Sequence, residues 1–431
     1  MGRIKSLGLI GLMGLMILMG LVGCSEDSDL ENRNRVTFEA QSLATGFEQE
    51  QSGHAPSSPS DVTTRAWTPP TGYYLYTDDN VMGLFAQQTD LFYKSIDVFF
   101  TQDGKEPMHG AFSYKKPYGE NPGTWRLNME IEDPGDYYVY GYIPKEAANS
   151  ATIAGNTTFR DGAELTINGI KTITHSDVCV IVGAKDGTDA DHATSSVDPY
   201  ANLATGDFKV HANKMVMSSE PEVHNYIYLL FDHLYAALAF RFTIDETYDA
   251  LRTIRVRKLE LIGYDDASET SIKARYNVKV KLKGNTTGSS PIEEVTFTPD
   301  PTSGDLAMEP IYESPDAYGV ALAHNTHTDF MGCFVPGQNT NFKLRTTYDV
   351  YDKNQAKDKQ GNLIFDSEGQ PVYNLVRYGC VADNAFDLQS IFPTTGSLRG
   401  KMFQLTIKVA PTYLYVLSEP DVDNPTITIE N

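Results

Sequence analysis

The sequence is short of basic residues, cysteines and long apolar runs. It has 35 Lys and Arg residues against 57 Asp and Glu residues, a formal net charge of −22. Because nucleic-acid binding depends on Lys and Arg contacts to phosphate, this charge argues against nucleic acid as a partner. The four cysteines are too widely spaced for a disulfide framework. Apart from Cys24, they (Cys179, Cys333 and Cys380) are expected to be small buried side chains, with one bridge among them left open.

The sequence also lacks the motifs of common enzymes. No zincin, P-loop, nucleophile-elbow or Cys-x-x-Cys pattern is present. The pattern nearest to a metal site consists of His324, His327 and Asp329, and a solvated loop is the favoured interpretation of it. His175 and Asp177, beside a predicted strand, are interpreted as a surface pair. The sequence therefore predicts a protein that is not an enzyme and that holds no metal or cofactor.

The long apolar run that does occur lies at the N-terminus. Arg3 and Lys5 precede residues 7–23, which are interrupted by glycines and shorter than the roughly 20 residues that a spanning helix needs. Residues 1–23 are therefore predicted to be an export signal. A Leu-Val-Gly-Cys motif ends at Cys24 and resembles the bacterial lipobox, in which the cysteine carries lipid. An ordinary secretory signal followed by an incidental cysteine is the alternative.

Residues 24–65 have the composition of a polar tether. Val36, Phe38 and Ala40 alternate in a short strand-like piece, and a linker rich in Ser, Gly, Pro, Thr and Gln follows it. The linker ends at Arg65, where an exposed, extended chain suits a protease. An ordinary exposed linker arginine is the alternative. The segment is predicted to hold the protein at a membrane and then to be removed.

From Trp67 onward, short alternating apolar runs are separated by turn residues, which is typical of antiparallel β structure. An Asn-Gly pair, Asn168 and Gly169, predicts the tip of a hairpin over residues 165–173. No amphipathic pattern longer than about three helical turns is present. The prediction is an all-β protein of two sandwiches, residues 66–222 and 223–431. Predicted strands include residues 73–76, 96–100, 125–131, 137–143, 178–183, 226–231, 238–244, 251–261, 275–282, 342–351, 371–378, 402–409, 413–417 and 426–430.

The chain ends in apolar strands. Leu414 and Val416 alternate in one, and Ile427 and Ile429 alternate in the last, with almost no sequence beyond it. A terminal apolar strand presents an edge that other chains can pair with, and proteins usually hide such edges. A last strand paired within its own sheet is the alternative.

These features together resemble the fimbrillin family, the type V pilins made as lipoprotein precursors. The features are the lipobox at Cys24, the Thr-Arg-Ala-Trp sequence at 64–67, the aromatic strand at 137–144, residues 231–240 and the tail at 411–431. They are spread over nearly the whole precursor. The resemblance implies two transthyretin-like β-sandwich domains in tandem, in agreement with the strand pattern.

The resemblance also implies how the protein is processed. Lipid on Cys24 would hold the precursor at the outer membrane, and an arginine-specific protease would cut between Arg65 and Ala66 at the cell surface. The cut would remove a plug strand and open a groove for the C-terminal strand of the next subunit. The implied plug residues are Val36, Phe38 and Ala40, and the implied donor residues are Leu414, Val416, Ile427 and Ile429.

The expected function is that of a structural fimbrial subunit that polymerises head to tail and contributes to adhesion. Its expected partners are other pilin subunits and a host or bacterial surface receptor. A fimbrial tip or anchor subunit is one alternative. Another is a surface lipoprotein that binds glycans through exposed aromatic residues, such as Trp67, Trp125, Tyr118, Tyr73 and Tyr74. The fate of the N-terminus separates these, because a binding lipoprotein keeps Cys24 and a pilin loses it.

Overall fold

The fold is that of a computed structural model. It describes residues 48–51, 73–78, 81–85, 94–115, 124–129, 131, 133, 135–187, 206–212, 226–286, 290–315, 318–336, 341–391, 398–410 and 426–430.

Strands dominate the described residues, and the helices there are single turns. The helices are α1 (Glu246–Asp249) and α2 (Leu388–Ile391), with 3₁₀ turns at Lys145–Ala147 and Phe159–Asp161. The strands are β1 (Glu48–Gln51), β2 (Tyr73–Asp78), β3 (Val81–Phe85), β4 (Ile96–Thr101), β5 (Met108–Lys115), β6 (Thr124–Leu127), β7 (Gly135–Ile143), β8 (Ser150–Gly155), β9 (Gly162–Lys171), β10 (Ile173–Thr174), β11 (Cys179–Gly187), β12 (Lys209–Ala212), β13 (Tyr226–His233), β14 (Ala236–Ile244), β15 (Arg252–Tyr264), β16 (Arg275–Lys283), β17 (Ile292–Pro299), β18 (Glu309–Glu313), β19 (Val320–Ala321), β20 (Thr328–Phe334), β21 (Asn341–Gln355), β22 (Tyr373–Asp387), β23 (Lys401–Ala410) and β24 (Thr426–Glu430).

The first core lies between a large and a small sheet. The large sheet has the order β3-β2-β13-β11-β7-β4-β5-β6, with β12 also paired to β7. The small sheet has the order β17-β16-β9-β8. Side chains of both sheets are buried together, among them Val139 and Tyr140 of β7, Leu165 of β9 and Val278 of β16.

The second core lies between two further sheets. One has the order β1-β23-β14-β20-β10, with β24 also paired to β23. The other has the order β18-β15-β21-β22, with β19 also paired to β15. Phenylalanine rings join the two: the centroids of Phe240 and Phe386 lie 6.2 Å apart, and those of Phe334 and Phe342 lie 5.0 Å apart. Such aromatic pairs contribute about 0.5–1.5 kcal/mol beyond the area that they bury.

The all-β, sandwich-type prediction is confirmed. The alternation in β15 illustrates why alternating apolar residues predict strands. Ile254, Val256, Leu259 and Leu261 are buried in the second core, whereas the intervening Arg255 is only half buried. Period-two burial requires a strand with one face on a core, which is what alternation predicts.

The predicted hairpin at residues 165–173 is wrong. β9 runs through Asn168 and Gly169, and its pairing with β16 shifts register at this point. Gly169 has a φ of 71°, and its N–H donates a 2.9 Å hydrogen bond to the side-chain oxygen of Asn277 on β16. The positive φ that an Asn-Gly pair permits is therefore used for a β-bulge within a strand rather than for a turn.

Strand pairing crosses the predicted boundary near residue 222. β9 precedes this boundary and β16 follows it, yet the two pair along their whole lengths. The chain also passes from the first sandwich to the second between β13 and Ala236, the start of β14, and returns to the first sandwich for β16 and β17. The boundary itself stays a prediction.

In the part of the chain that the structure describes, no helix has both the length and the apolar character needed to cross a membrane.

Candidate functional site: the outer edge of β23

The inner edge and inner face of β23 belong to the second sandwich. β23 pairs in parallel with β14, residue 402 opposite Ala237 through residue 409 opposite Ile244. Alternate side chains of β23 are buried in the second core: Phe403, Leu405, Ile407 and Val409. Burying each of these contributes about 1.5–3 kcal/mol, so β23 is firmly held on this side.

The outer edge of β23 is shared by two short strands from opposite ends of the chain. β1 pairs in parallel with residues Lys401 to Gln404, and β24 pairs antiparallel with residues Thr406 to Ala410. They therefore lie end to end along one edge. β1 belongs to the segment that precedes Arg65, and β24 belongs to the C-terminal tail.

The predicted donor residues of the last strand lie on this edge. Ile427 is opposite Val409 and Ile429 is opposite Ile407. Their partners on β23 are buried in the second core. The remaining predicted site residues fall outside the described residues and stay predictions: Cys24, Val36, Phe38, Ala40, Arg65, Ala66, Leu414 and Val416.

Sequence reasoning missed β1. Its sequence is Glu-Gln-Glu-Gln, which has no apolar alternation to reveal a strand. Residues of this kind are depleted in strands, so the pairing depends on main-chain hydrogen bonds to β23. No pattern within the segment could have shown this, because the edge that β1 covers lies some 350 residues further along the chain.

The start of β23 is fixed by a partly buried ion pair at the crossover between β13 and β14. Arg399 Nη1 donates to Asp232 Oδ2 at 2.8 Å and to the carbonyl oxygen of His233 at 2.6 Å. The N–H of Gly400 donates to the carbonyl oxygen of Tyr235 at 2.8 Å. Because Asp232 is buried, this contact sets the position at which β23 enters the sheet.

A second polar cluster lies at the same crossover. His233 Nδ1 contacts the carboxylate of Asp177, and the thiol of Cys179 lies 3.1 Å from Asp177 Oδ2 and 3.7 Å from His233 Nδ1. The interpretation of Asp177 as part of a surface pair is wrong, since Asp177 is fully buried. His233 lies 56 residues from Asp177, so the sequence gave no signal of their contact.

These three residues offer nitrogen, sulfur and oxygen donors, the set that zinc accepts. Their polar atoms already contact one another, which makes the cluster a buried hydrogen-bonded network beside the crossover between β13 and β14.

The fold does not bring together His324 and Asp329, which belong to the other metal-like pattern. His324 Nδ1 lies 2.6 Å from Asp249 Oδ2, and Lys353 Nζ lies 2.6 Å from the other oxygen of Asp249. Asp329 instead accepts two hydrogen bonds from Arg241, at 2.9 and 3.1 Å. His324 and Asp329 therefore face different partners.

The reaction rates of three cysteine thiols test how deeply the fold buries each of them. Cys179, Cys333 and Cys380 form no disulfide in the described part of the chain, and burial raises the pKa of the first two. We expect iodoacetamide at mildly alkaline pH to modify half-buried Cys380 about tenfold faster than the others, since only the thiolate reacts. Peptide mass spectrometry of the native residue 25–431 protein measures the rates. Cys380→Ser is the control, and equal modification of all three thiols would contradict the packing.

No family model and no curated protein matches the chain. A candidate cell adhesion protein from Bacteroides fragilis aligns with 91% of this chain and 96% of its own, at 11% identity and a TM-score of 0.35. A candidate cell adhesion protein from Bacteroides ovatus aligns with 79% of this chain and 86% of its own, at 13% identity and a TM-score of 0.24. The fimbrial anchor protein Mfa2 from Porphyromonas gingivalis aligns with 89% and 94%, at 8% identity and a TM-score of 0.24. Since these TM-scores are low, function is inferred from this chain's own geometry.

Proposed function

We propose that this protein is a structural fimbrial subunit. It is exported as a lipoprotein anchored through Cys24 in the outer membrane, cut after Arg65 by an arginine-specific protease, and polymerised head to tail by strand exchange. The extracellular fimbrium so formed contributes to adhesion to a host or bacterial surface receptor. One observation carries the proposal: the outer edge of β23 is covered by a piece of the removable segment and by the C-terminal tail.

The cover that β1 provides is weak once its connection is cut. Ordering the backbone of each of its four residues costs about 1–2 kcal/mol. The net contribution of each hydrogen bond to stability is about 0.5–1.5 kcal/mol. With no apolar residue in its sequence, β1 depends on the tether for its high effective concentration. Cleavage after Arg65 removes that tether, so the edge at Lys401–Gln404 opens.

A strand from a second copy can then replace both short strands. Fifteen residues separate β23 from β24. A chain of this length spans at most about 50 Å, which is enough to carry β24 to a neighbouring subunit. A donated tail that pairs along all of β23 makes more main-chain hydrogen bonds than β24 makes on half of it. Because donor and acceptor are different surfaces, the contact does not close and a filament grows.

The test is limited digestion of the purified residue 25–431 protein with an arginine-specific protease. We expect a single cut after Arg65, followed by a ladder of denaturant-resistant oligomers, because the opened edge accepts tails of other copies. Intact mass locates the cut, and gel mobility without heating shows the ladder.

Two variants complete this test. Arg65→Gln should abolish both the cut and the ladder, and deletion of residues 425–431 should leave the cut and abolish the ladder. A ladder that persists without the tail would exclude exchange through β24. A clean cut without any ladder would favour a tip subunit or one that needs a partner subunit. Resistance at Arg65 would favour an anchor subunit or a glycan-binding lipoprotein.

A further inference from the structure

Exposed apolar side chains are concentrated in one part of the described chain. Of nine large hydrophobic residues that are exposed there, seven lie between residues 363 and 381. We call residues 356–381, the connection from β21 together with the first half of β22, the β21–β22 arm. The seven are Leu363, Ile364, Phe365, Leu375, Val376, Tyr378 and Val381. Clustered exposed apolar residues mark an interaction surface, whereas isolated ones need no explanation.

The tip of the arm has a defined conformation. Isolated bridges join Lys357 to Leu363 and Phe365 to Pro371. Asp358 Oδ1 accepts hydrogen bonds from the N–H groups of residues 360 and 362, at 2.9 and 2.8 Å. Asp366 Oδ1 does the same for residues 368 and 370, also at 2.9 and 2.8 Å. Because these turns already order the chain, a partner that binds the arm loses less entropy in fixing it.

A β-bulge in β22 keeps the side chain of Tyr378 exposed. Tyr348 pairs with Cys380 and Val350 pairs with Arg377, so the residues between them on β22 form a bulge opposite Asp349. At the bulge, Gly379 has a φ of 65°, and its N–H donates to the buried Asp349 carboxylate at 2.7 Å. Bulges re-aim side chains, and this one leaves Tyr378 67% exposed.

An arginine supports the exposed ring. The guanidinium carbon of Arg257 lies 4.7 Å from the centroid of Tyr378, and Arg257 Nη1 lies 3.5 Å from Asp349 Oδ2. A cation–π contact of this kind contributes about 0.5–1 kcal/mol at an exposed site, so the ring is oriented before any partner arrives. Tyrosine and arginine are also the residue types that dominate binding energy in protein interfaces.

β22, which supplies the last part of the arm, packs across the core from β14, the strand next to β23. Across the core, Phe240 of β14 contacts Phe386 of β22, whereas Phe330 of β20 contacts Tyr312 of β18. β22 therefore faces the β14 end of the opposite sheet, and β23 is the next strand beyond β14. A subunit that approaches the edge of β23 also approaches β22.

The balance of charge on the arm suits a second copy of this chain as the partner. The whole chain carries a net charge of −22, so two copies repel each other over most of their surfaces. Residues 356–381 contain three basic and three acidic residues and are neutral. The arm combines exposed apolar side chains with balanced charge, which allows contact between two acidic copies.

We infer that the β21–β22 arm docks a second copy of this chain, with Tyr378 as its anchor, beside the edge of β23. That this contact serves strand exchange rests on the proposed function; the contact itself does not need cleavage. It brings the tail of one copy near the open edge of another and raises its effective concentration there.

The experiment is sedimentation velocity of the uncut residue 25–431 protein from about 1 µM to about 200 µM, a range that populates weak complexes. Wild type is compared with Leu375→Lys and Tyr378→Ala in the arm. Leu251→Lys is the matched control, because Leu251 is 54% exposed and Leu375 is 49% exposed. We expect a concentration-dependent dimer for wild type and the control, and a dissociation constant at least about tenfold higher for both arm variants.

Thermal unfolding of each variant checks that the fold is retained, which exposed positions should allow. A wild-type protein that stays monomeric over the whole range, or a Leu251→Lys variant that weakens the dimer as much as Leu375→Lys, would overturn the inference. Failure of the ladder after digestion would instead overturn assembly of this chain by exchange with its own copies, so the two failures are distinguishable.

Discussion

Replacing Arg399 by methionine is expected to lower the free energy of unfolding by about 3–5 kcal/mol, since removal of one partner leaves a buried charge uncompensated. Asp232 is 1% exposed, and its other carboxylate oxygen has no hydrogen-bonding partner among the described residues. The ion pair with Arg399 is therefore its main source of compensation. The same substitution also removes the contact that positions the start of β23. The edge of β23 on which the proposed assembly depends should therefore be less well ordered.

Urea denaturation of the residue 25–431 protein measures this effect as a lower midpoint at unchanged slope. Arg241→Met is the matched control. Arg241 pairs with Asp329 on the surface, where both side chains are substantially exposed, so its loss should cost less than about 1 kcal/mol. Equal midpoints for the two variants would show that Asp232 is solvated and that the crossover is not a fixed junction.

Gly162→Ala is expected to destabilise the first sandwich by roughly 2–4 kcal/mol, from backbone strain and steric overlap together. Gly162 begins β9 with a φ of 127°, which side chains rarely adopt. An added Cβ would lie 2.1 Å from the carbonyl oxygen of Leu282 on β16. The residue thus permits the close approach of β9 to β16, the pairing that joins segments far apart in the sequence.

Gly304→Ala provides the control, because nothing lies within 4 Å of a Cβ built there. Thermal unfolding by circular dichroism should show a clearly lower Tm for Gly162→Ala and little change for Gly304→Ala. A Tm for Gly162→Ala within a degree or so of wild type would mean that β9 and β16 can separate at that point without penalty.

Strand positions were predicted well where one face of the strand lies on a core. β15 and β23 alternate because each packs one row of side chains into the second core, and this burial is visible as a period of two in the sequence. Strands of this kind can be recognised from the alternation in their own sequence. β1 has no such alternation, since its stability comes from the strand beside it.

Two local sequence patterns led to wrong predictions for the same physical reason. The Asn-Gly pair in β9 permits a positive φ, and either a turn or a bulge can use it; the contact with Asn277 on β16 decides for the bulge. Asp177 is acidic and follows a polar residue, which suggests exposure, yet His233 and Cys179 enclose it. In each case the deciding partner lies on a distant strand.

The sequence by itself determined that this chain is all-β, that its first 65 residues differ in composition from the rest, and that it ends in an apolar strand. These are properties of local composition and alternation, and they need no knowledge of neighbours. The tertiary structure decided that β1 and β24 meet on the same edge of β23, and that β22 packs across the core from β14. Main-chain pairing is almost independent of side-chain identity, so which edges meet is set by topology and cannot be read from either strand alone.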